Sequence, residues 1–312
     1  MCGFAGVIAW DEKYRLTKGT LTKMSAAIAH RGPDGEGYHL TRENEPITPD
    51  TPQVGLAFRR LAILDPDPRS NQPFTDGHRW LVFNGEIYNF RELRKELTAL
   101  RPQYQWRTTG DTEVLLCAYA HWREKCVDHL NGMFAFAVWD QINETLFLAR
   151  DRMGQKTLFY AHDGRGGVAF ASEISALRAI GWIDWMLEKL AITQYLICGY
   201  ITAPNTVFNN VIELPPASRI SFSHAREIAD WENLTFFSPN ENRGHKALDP
   251  VEDTRRLIRN SVERQLVSDV PLGVFLSGGV DSSIIALCSS EQRLNTFSIS
   301  FDDPRYDESR YA

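Results

Sequence analysis

A polar, turn-rich stretch between about residues 232 and 248 divides this 312-residue chain into two regions with different hydrophobic patterns. Before the stretch, short β-favouring runs alternate with a few helical ones. After it, a helical segment is followed by a buried strand, a glycine-rich loop, a helix and a second strand. Because such stretches commonly join domains, we predict one domain over residues 2–223, a linker over 224–248 and the N-terminal part of a second domain over 249–312.

The first region is predicted to be rich in strands. Apolar runs recur along it, with turn-forming residues such as Asp151 and Gly154 between them. The predicted strands are Gly3–Trp10, Val54–Phe58, Trp80–Phe83, Met133–Trp139, Thr145–Ala149, Leu158–Ala161, Val168–Ala171, Val207–Leu214 and Arg219–Phe222. Helical spacing predicts helices around Leu21–Ile28, Leu93–Leu100, Glu113–Arg123, Ser172–Ile180 and Leu187–Leu196.

Composition excludes several classes of protein. Acidic residues outnumber basic ones by 40 to 34, and the net charge is −6, whereas a nucleic-acid or anionic-membrane binder shows a basic excess. No apolar run is longer than Met133–Trp139, which is far shorter than the ~20 residues that a membrane span needs. The five cysteines are an odd number and lack the spacing of disulfide or zinc sites. We therefore expect a cytoplasmic protein with no membrane or nucleic-acid partner.

Cys2 is a candidate nucleophile, since it lies between Met1 and Gly3. Removal of Met1 would place the Cys2 thiol on the same residue as a free α-amine, whose usual pKa of ~7.7–8.0 suits a base at neutral pH. One residue would then supply both the nucleophile and the general base. The sequence Met-Cys-Gly alone is more simply explained without a function, so this interpretation depends on the rest of the region.

Four further motifs follow Cys2 in order. They are HRGPDG at 30–35, RRLAI at 59–63, NGEIYN at 84–89 and GDTE at 110–113. Each alone has an ordinary explanation as a strand edge, a hairpin turn or a helix N-cap. Together with Cys-Gly-Phe-Ala-Gly at the start, they resemble the glutaminase domain of class II glutamine amidotransferases, which has the N-terminal-nucleophile hydrolase fold. This resemblance covers roughly residues 2–222 and implies an α+β fold, a four-layer αββα sandwich.

The resemblance implies three catalytic residues. Cys2 attacks the side-chain amide of glutamine, and ammonia leaves as a γ-glutamyl thioester forms. The side-chain amide of Asn84 and the backbone N–H of Gly85 stabilise the oxyanion, and one such donor typically contributes ~10²–10³ in rate. His30 is expected to shape its loop rather than to take part in the chemistry.

The resemblance also implies how glutamine is bound. Arg60 offers a planar fork to the α-carboxylate. Asp111 pairs with the α-ammonium group, and Glu86 and Ile63 lie beside the pocket.

The second region carries the sequence SGGVDSS at 277–283, between a predicted strand, Gly273–Leu276, and a predicted helix, Ser282–Ser289. Its glycines allow backbone N–H groups to converge on phosphate oxygens at a helix N-terminus, and the Walker sequence GxxxxGK[ST] does not occur. The loop resembles the pyrophosphate loop of N-type ATP pyrophosphatases, which form the start of a doubly wound α/β domain. The ATP-binding residues that this resemblance implies are Leu276, Ser277, Gly278, Gly279, Asp281, Ser282 and Ile299, with Mg²⁺ held against the pyrophosphate by Asp281.

A glutaminase domain followed by a pyrophosphate-loop domain resembles the glutamine-hydrolysing asparagine synthetases. This resemblance implies that ATP activates aspartate as β-aspartyl-AMP and that ammonia from the Cys2 site amidates it, and it is compatible with a homodimer. Three alternatives stay open: an amide ligase acting on another carboxylate, a glutaminase or sugar-phosphate amidotransferase without the ligase step, and a non-enzymatic module.

The second domain is expected to be incomplete. Residues 249–312 contain only two predicted strands, Gly273–Leu276 and Thr296–Phe301. A doubly wound sheet commonly has about five or more strands. The two strands would therefore leave apolar faces uncovered.

Overall fold

A computed structural model describes residues 1–223, 249–292, 294–303, 305 and 307–312. The described residues form two compact units, one within residues 1–223 and one within residues 249–312. The predicted linker, residues 224–248, lies outside the described residues, and its bounds stay a prediction.

The first unit is built on two antiparallel β-sheets. Its strands are β1 (Gly3–Ala9), β2 (Gly35–Leu40), β3 (Gln53–Arg60), β4 (Phe74–Thr75), β5 (Arg79–Ile87), β6 (Gly132–Asp140), β7 (Thr145–Arg150), β8 (Phe159–His162), β9 (Gly167–Ala171), β10 (Ile212–Glu213) and β11 (Arg219–Ser223). One sheet has the order β10-β8-β9-β1-β3-β2, and the other has the order β11-β7-β6-β5-β4. β1 therefore lies in the interior of the first sheet, with β3 on one side and β9 on the other.

Helices pack on the outer faces of the two sheets, apart from one largely exposed helix, Lys189–Cys198, of which only Ala191 is buried. They are α1 (Lys18–Ala27), α2 (Phe90–Leu100), α3 (Asp111–Trp122), α4 (Cys126–His129), α5 (Ile174–Leu177) and α6 (Lys189–Cys198). α1 begins after Thr17, whose hydroxyl accepts a hydrogen bond from Thr20 N at 3.1 Å. On the other sheet, α3 packs against β5 and α2. Among the described residues, no helix has the length and apolar character needed to cross a membrane.

The core of the first unit has two sides because alternate residues of β1 face opposite ways. Phe4 and Ile8 lie in an apolar cluster between the sheets, together with Val82 of β5. Ala5 and Val7 lie in a second cluster, with residues of α1 and α5. The order helix, sheet, sheet, helix confirms the predicted four-layer αββα sandwich.

The second unit contains a parallel βαβ arrangement. Its elements are α7 (Pro250–Gln265), β12 (Gly273–Phe275), α8 (Val280–Ser289) and β13 (Asn295–Phe297). β12 and β13 pair in parallel, and α8 connects them, which is the connection with which a doubly wound sheet begins. Apolar side chains of both strands are open to solvent, with Phe275 79% and Phe297 56% exposed.

The predicted strand Val207–Leu214 is wrong over most of its length. Within it, only β10 pairs with a neighbouring strand. The Thr206 hydroxyl accepts a hydrogen bond from Phe208 N at 3.1 Å and donates one to Val211 O at 2.7 Å. Phe208 forms one isolated bridge with Leu187, and the bonds of Thr206 take up backbone groups that a continuous ladder would need, so residues 207–211 are a loop.

The predicted strand Thr296–Phe301 ends at Phe297. The next residue, Ser298, donates its hydroxyl to Leu276 O at 2.7 Å, and this side-chain bond takes the place of backbone pairing. β2 was not predicted, because its sequence GEGYHL has little apolar character and the strand lies half-exposed at the edge of its sheet.

Candidate active site

One cavity in the first unit collects every residue predicted for the glutaminase site. Its volume is about 120 Å³. The predicted residues that line it are Cys2, Arg60, Ile63, Asn84, Gly85, Glu86 and Asp111. They come from the chain just before β1, from the end of β3 and the residues that follow it, from β5 and from the first turn of α3. The fold therefore brings together side chains that are far apart in the sequence.

The Cys2 thiol is held against the backbone that follows β3. Its Sγ donates to Leu61 O at 3.4 Å and accepts a bond from Leu61 N at 3.3 Å. Asp34, from the HRGPDG motif, fixes this backbone by accepting a bond from Ala62 N at 2.8 Å. Burial raises the pKa of the Cys2 thiol. The resting group is therefore a thiol, and it needs a base to become a nucleophile.

Asn84 and Arg31 surround the carbonyl of Cys2. Arg31 donates Nε to Cys2 O at 2.9 Å and Nη1 to Glu173 Oε1 at 2.8 Å. The Asn84 amide is oriented by its hydrogen-bond partners, with its nitrogen 3.1 Å from Cys2 O and its oxygen 3.2 Å from Arg31 Nη2. An amide nitrogen carries two hydrogens, so one remains for a group in the cavity. Sequence reasoning missed Arg31, although it lies inside a recognised motif.

Gly85 is required by the close approach of β5 and β6. Its φ is +155°, and a Cβ at this position would lie 2.1 Å from Met133 O and 2.7 Å from Phe134 Cα. Both are backbone atoms of a sheet, which cannot move aside cheaply. The backbone of β5 can therefore reach the cavity beside Asn84 only with glycine here.

Asp111 and Glu86 form an acidic wall of the cavity. Asp111 is the first residue of α3, and its Oδ2 accepts a bond from Ile87 N at 3.0 Å. Burial, reinforced by the neighbouring Glu86 and only partly opposed by the Ile87 N–H, raises the pKa of Asp111 to about 7. Burial also raises the pKa of Glu86, against the opposing charge of Lys156. This wall is suited to a cation that would replace the lost hydration.

Lys156 is a cavity residue that sequence reasoning missed. It is buried, it lines the cavity, and burial lowers its pKa while Glu86 opposes that change. Its position depends on Asp151, whose buried carboxylate accepts bonds from the N–H groups of Met153, Gln155 and Lys156. The turn residues Asp151 and Gly154 were recognised, but no pattern shows that the residue after them points into a cavity.

Arg60 lines the cavity, but the two terminal nitrogens of its side chain are directed at the loop after β3. Nη1 donates to Pro66 O, Asp67 O and Asn71 Oδ1, and Nη2 donates to Leu64 O and Asp65 O. The fork that was predicted to grip a carboxylate thus organises residues 64–71. Its positive charge still lies in the cavity wall.

Met1 also lines the cavity, next to Lys156, whose Nζ lies 3.2 Å from Met1 Sδ. With Met1 attached, the nitrogen of Cys2 belongs to a peptide bond and has no basic lone pair. Removal of Met1 stays a prediction.

The predicted ATP-binding residues all lie in the second unit. All but Ile299 are in or next to the loop between β12 and α8. Gly278 has φ +82°, a conformation that glycine adopts without strain. The loop is held by local bonds: Ser282 Oγ accepts from Ser277 N at 3.2 Å and donates to Gly279 O at 3.1 Å. Ile299 lies beyond the end of β13 and is exposed. Such an open loop before a helix N-terminus fits a polyphosphate.

The predicted magnesium residue, Asp281, lies in the first turn of α8 and is exposed. Within the part of the chain that the structure describes, no group of three or more His, Cys, Asp or Glu side chains is arranged to hold a metal ion. One carboxylate fits Mg²⁺ only where phosphate oxygens and water supply most of its ligands.

Comparison with known proteins agrees with the two-unit organisation. Residues 1–231 match the family described as the glutamine amidotransferase domain, and residues 253–312 match the asparagine synthase family. The chain is 36% identical over 318 residues to a Bacillus subtilis protein named asparagine synthetase (glutamine-hydrolyzing) 1, covering 99% of this chain and 47% of that protein. It is 35% identical over 320 residues to asparagine synthetase (glutamine-hydrolyzing) 3 of Bacillus subtilis, covering 97% and 48%. The chain thus spans about half the length of these relatives.

A solved structure described as the allosteric regulatory enzyme of purine biosynthesis has a TM-score of 0.52 and 14% identity to this chain, covering 96% of this chain and 66% of that one. At this identity the likeness supports the fold alone. The match over residues 1–231 decides the family. The chain belongs to the glutamine amidotransferase domain family.

Proposed function

We propose that the first unit hydrolyses glutamine to glutamate and ammonia, with Cys2 as the nucleophile. The observation that carries this proposal is the convergence of seven predicted residues on one cavity. A thiol, an amide and two carboxyl groups are the chemistry that a cysteine amidohydrolase of an amino acid needs.

The reaction requires a base for the thiol. After removal of Met1, the α-amine of Cys2 takes the thiol proton, and Sγ attacks the side-chain amide carbon of glutamine. The amine then gives the proton to the leaving nitrogen, so ammonia departs and a γ-glutamyl thioester remains. Water attacks this thioester with the same amine as base, which releases glutamate and restores the thiol.

Charge that develops on the amide oxygen is stabilised by preorganised donors. The second hydrogen of the Asn84 amide and the backbone N–H of Gly85 are proposed for this task. Arg31 supports them, because its bonds to Cys2 O and to the Asn84 oxygen fix which way the amide points.

The charged end of glutamine is proposed to bind between Arg60 and the acidic wall. The α-ammonium group pairs with Asp111 and Glu86, whose pKa values burial raises, because a cation beside them would offset the lost hydration. The guanidinium charge of Arg60 attracts the α-carboxylate, with Ile63 beside the pocket.

For the whole protein we propose glutamine-dependent asparagine synthesis. The names of the relatives and the match of residues 253–312 support this proposal. The loop at 277–282 would hold the phosphates of ATP, with Asp281 on Mg²⁺, and bound ATP supplies the activation that a carboxylate needs. Aspartate-dependent exchange of pyrophosphate into ATP by the full-length protein tests it. Exchange with another acid and not with aspartate would favour an amide ligase of different substrate.

The glutaminase proposal is tested by substitution at the nucleophile. Cys2→Ala is expected to abolish glutamine hydrolysis, while Cys198→Ala, which changes an exposed cysteine, leaves it intact. In the full-length protein, synthesis from free ammonia should survive Cys2→Ala. An intact mass that retains Met1 in the active enzyme would contradict the role of the α-amine.

We also propose that the protein is cytoplasmic and has no membrane or nucleic-acid partner. Its net charge of −6 and its free cysteines support this. A homodimer is compatible with the proposal, and sedimentation of the full-length protein measures it.

A further inference from the structure

Asp65 occupies an unusual position behind the cavity. It is only 3% exposed, yet it is absent from the residues that line the cavity. Its φ of +42° lies in the left-handed region, which is uncommon for residues other than glycine and in which Asn and Asp are enriched. A buried carboxylate in such a conformation indicates a specific set of bonds.

Those bonds join the two sides of the cavity. The Asp65 carbonyl accepts a bond from Arg60 Nη2 at 2.5 Å, and its Oδ2 accepts one from Thr109 N at 2.7 Å. Thr109 and Gly110 lead directly into α3, whose first residue is Asp111. One residue therefore contacts the proposed carboxylate-binding side chain and the turn that carries the proposed ammonium-binding side chain.

The contact between the two segments is close. A Cβ on Gly110 would lie 3.3 Å from Asp65 Cβ, so a larger residue at Gly110 would push against Asp65. Arg69 donates to both carboxylate oxygens of Asp65 at 3.3 Å from the outer side. Asp65 is thus fixed by Arg69 of its own loop, and it fixes in turn the backbone of Thr109.

We propose that Asp65 is a positioning residue that fixes the separation of Arg60 and Asp111, so that the cavity recognises the two charged groups of an α-amino acid as one unit. This inference rests on the proposed glutaminase function. Recognition of two charges at once depends on their spacing, and a displacement of ~1 Å is enough to lose most of the benefit of orientation. Asp65 itself touches no substrate.

The test uses two substitutions at Asp65 and one control. Asp65→Gly removes the carboxylate without a backbone penalty, because glycine adopts positive φ freely. Asp65→Asn keeps an oxygen that accepts the Thr109 N–H and also tolerates this φ. The control is Asp76→Gly, which removes another carboxylate that binds a backbone N–H and an arginine, Arg79, at the opposite end of β5 from the cavity.

Steady-state hydrolysis by the full chain is measured with L-glutamine and with glutaric acid monoamide, which lacks the α-amine. Asp65→Gly is expected to raise KM for glutamine by ~10-fold or more with kcat within ~3-fold, and to reduce the preference for glutamine over the monoamide. Asp65→Asn is expected to restore KM to within ~3-fold of wild type, and Asp76→Gly to leave it unchanged.

An unchanged KM in Asp65→Gly, a loss of kcat alone, or an equal rise of KM in Asp76→Gly would overturn the inference. Wild-type protein without Cys2-dependent hydrolysis would overturn the glutaminase proposal and this inference with it. Active wild type with a normal KM in Asp65→Gly overturns the inference alone.

A second measurement does not depend on the folding of any Asp65 variant. Hydrogen exchange is followed in Cys2→Ala while glutamine is added. Segments 64–71 and 107–111 are expected to gain protection over the same range of glutamine concentration, because they are joined through Asp65. Protection confined to one of the two segments would contradict the coupling.

Discussion

The two candidate sites of this chain are held together in opposite ways. In the cavity, Cys2 is bonded to Leu61, and Asp65 to Thr109, so partners lie 59 and 44 residues apart. In the loop at 277–282, Ser277 and Ser282 bond to each other across 5 residues, and both are exposed or half-exposed. The first site exists only when the whole sandwich is folded, whereas the second is already specified by its local sequence.

Substituting one glycine in each site provides the strongest test of this difference. Gly85→Ala places a methyl group 2.1 Å from the backbone of β6 and is expected to destabilise the first unit by about 3 kcal/mol or more and to abolish glutamine hydrolysis. Gly278→Ala strains one positive φ, at about 1 kcal/mol, and places a methyl group 2.5 Å from Tyr311 Cβ, so the exposed segment that carries Tyr311 must shift as well. Thermal unfolding measures the loss of stability in both variants. Equal losses would contradict the conclusion that the cavity depends on the whole fold and the loop on its local sequence.

Asp111→Asn should separate stability from function in the cavity. The folded state holds the Asp111 proton up to about pH 7, against an ordinary pKa of 3.8, so wild type loses stability as the pH rises from about 4 to 7. Asparagine does not ionise. At pH 8 the variant is therefore expected to be about 3 kcal/mol more stable, while its KM for glutamine rises steeply.

The same ionisation sets a pH dependence in the wild type. KM for glutamine is expected to fall as the pH rises through about 7, because the charged carboxylate then pairs with the α-ammonium group. A wild-type KM that is flat between pH 6 and pH 8 would show that Asp111 does not bind this group. Denaturant unfolding at pH 5 and pH 8 measures the free energy of unfolding of the wild type and of Asp111→Asn.

The pKa of Asp65 is shifted downward, opposite to that of Asp111. Burial opposes its ionisation, but the Thr109 N–H and Arg69 hold its pKa at about 2. Its charge therefore stabilises the fold above pH 4, and this contribution is lost as the pH falls from about 4 to about 2. Asp65→Asn is expected to cost about 1–2 kcal/mol at pH 7, since Arg69 and nearby solvent screen the charge, and almost nothing at pH 2. Denaturant unfolding curves that coincide for wild type and Asp65→Asn at pH 7 would contradict this.

The smallest effect is expected at the second site. Ser282→Ala removes hydrogen bonds among exposed groups and is expected to change the free energy of unfolding by less than about 1 kcal/mol. Affinity of the full-length protein for ATP, measured by calorimetry, should fall more clearly. A large loss of stability would mean that the loop is a structural element of its unit.

Elements with buried, β-favouring runs were predictable from the sequence, as β1, β6 and β9 show. β2 was not, because an edge strand with polar residues carries no such signal. The loop at 206–211 has a β-favouring composition, but the Thr206 hydroxyl binds the backbone of Phe208 and Val211, and only an isolated bridge between Phe208 and Leu187 forms.

The residues of the site also divide into those that the sequence predicted and those that it did not. Its motif residues were predictable because they resemble a known family, and they line one cavity. Lys156, Arg31 and Asp65 were missed as site residues, because their importance depends on what the fold brings beside them. Charge and type alone do not reveal a partner that lies tens of residues away.

The interior position of β1 has one more consequence. Residues near the beginning of a chain ordinarily fray on short timescales and exchange their amide hydrogens freely. The strand that follows Cys2 is instead bracketed by β3 and β9 over residues 5–9, so its amides should open only when the sheet itself unfolds. An α-amine exposed by removal of Met1 would then be attached to a strand that does not fray. Its position would be as well defined as that of an interior side chain, whereas the α-amine of most proteins is mobile.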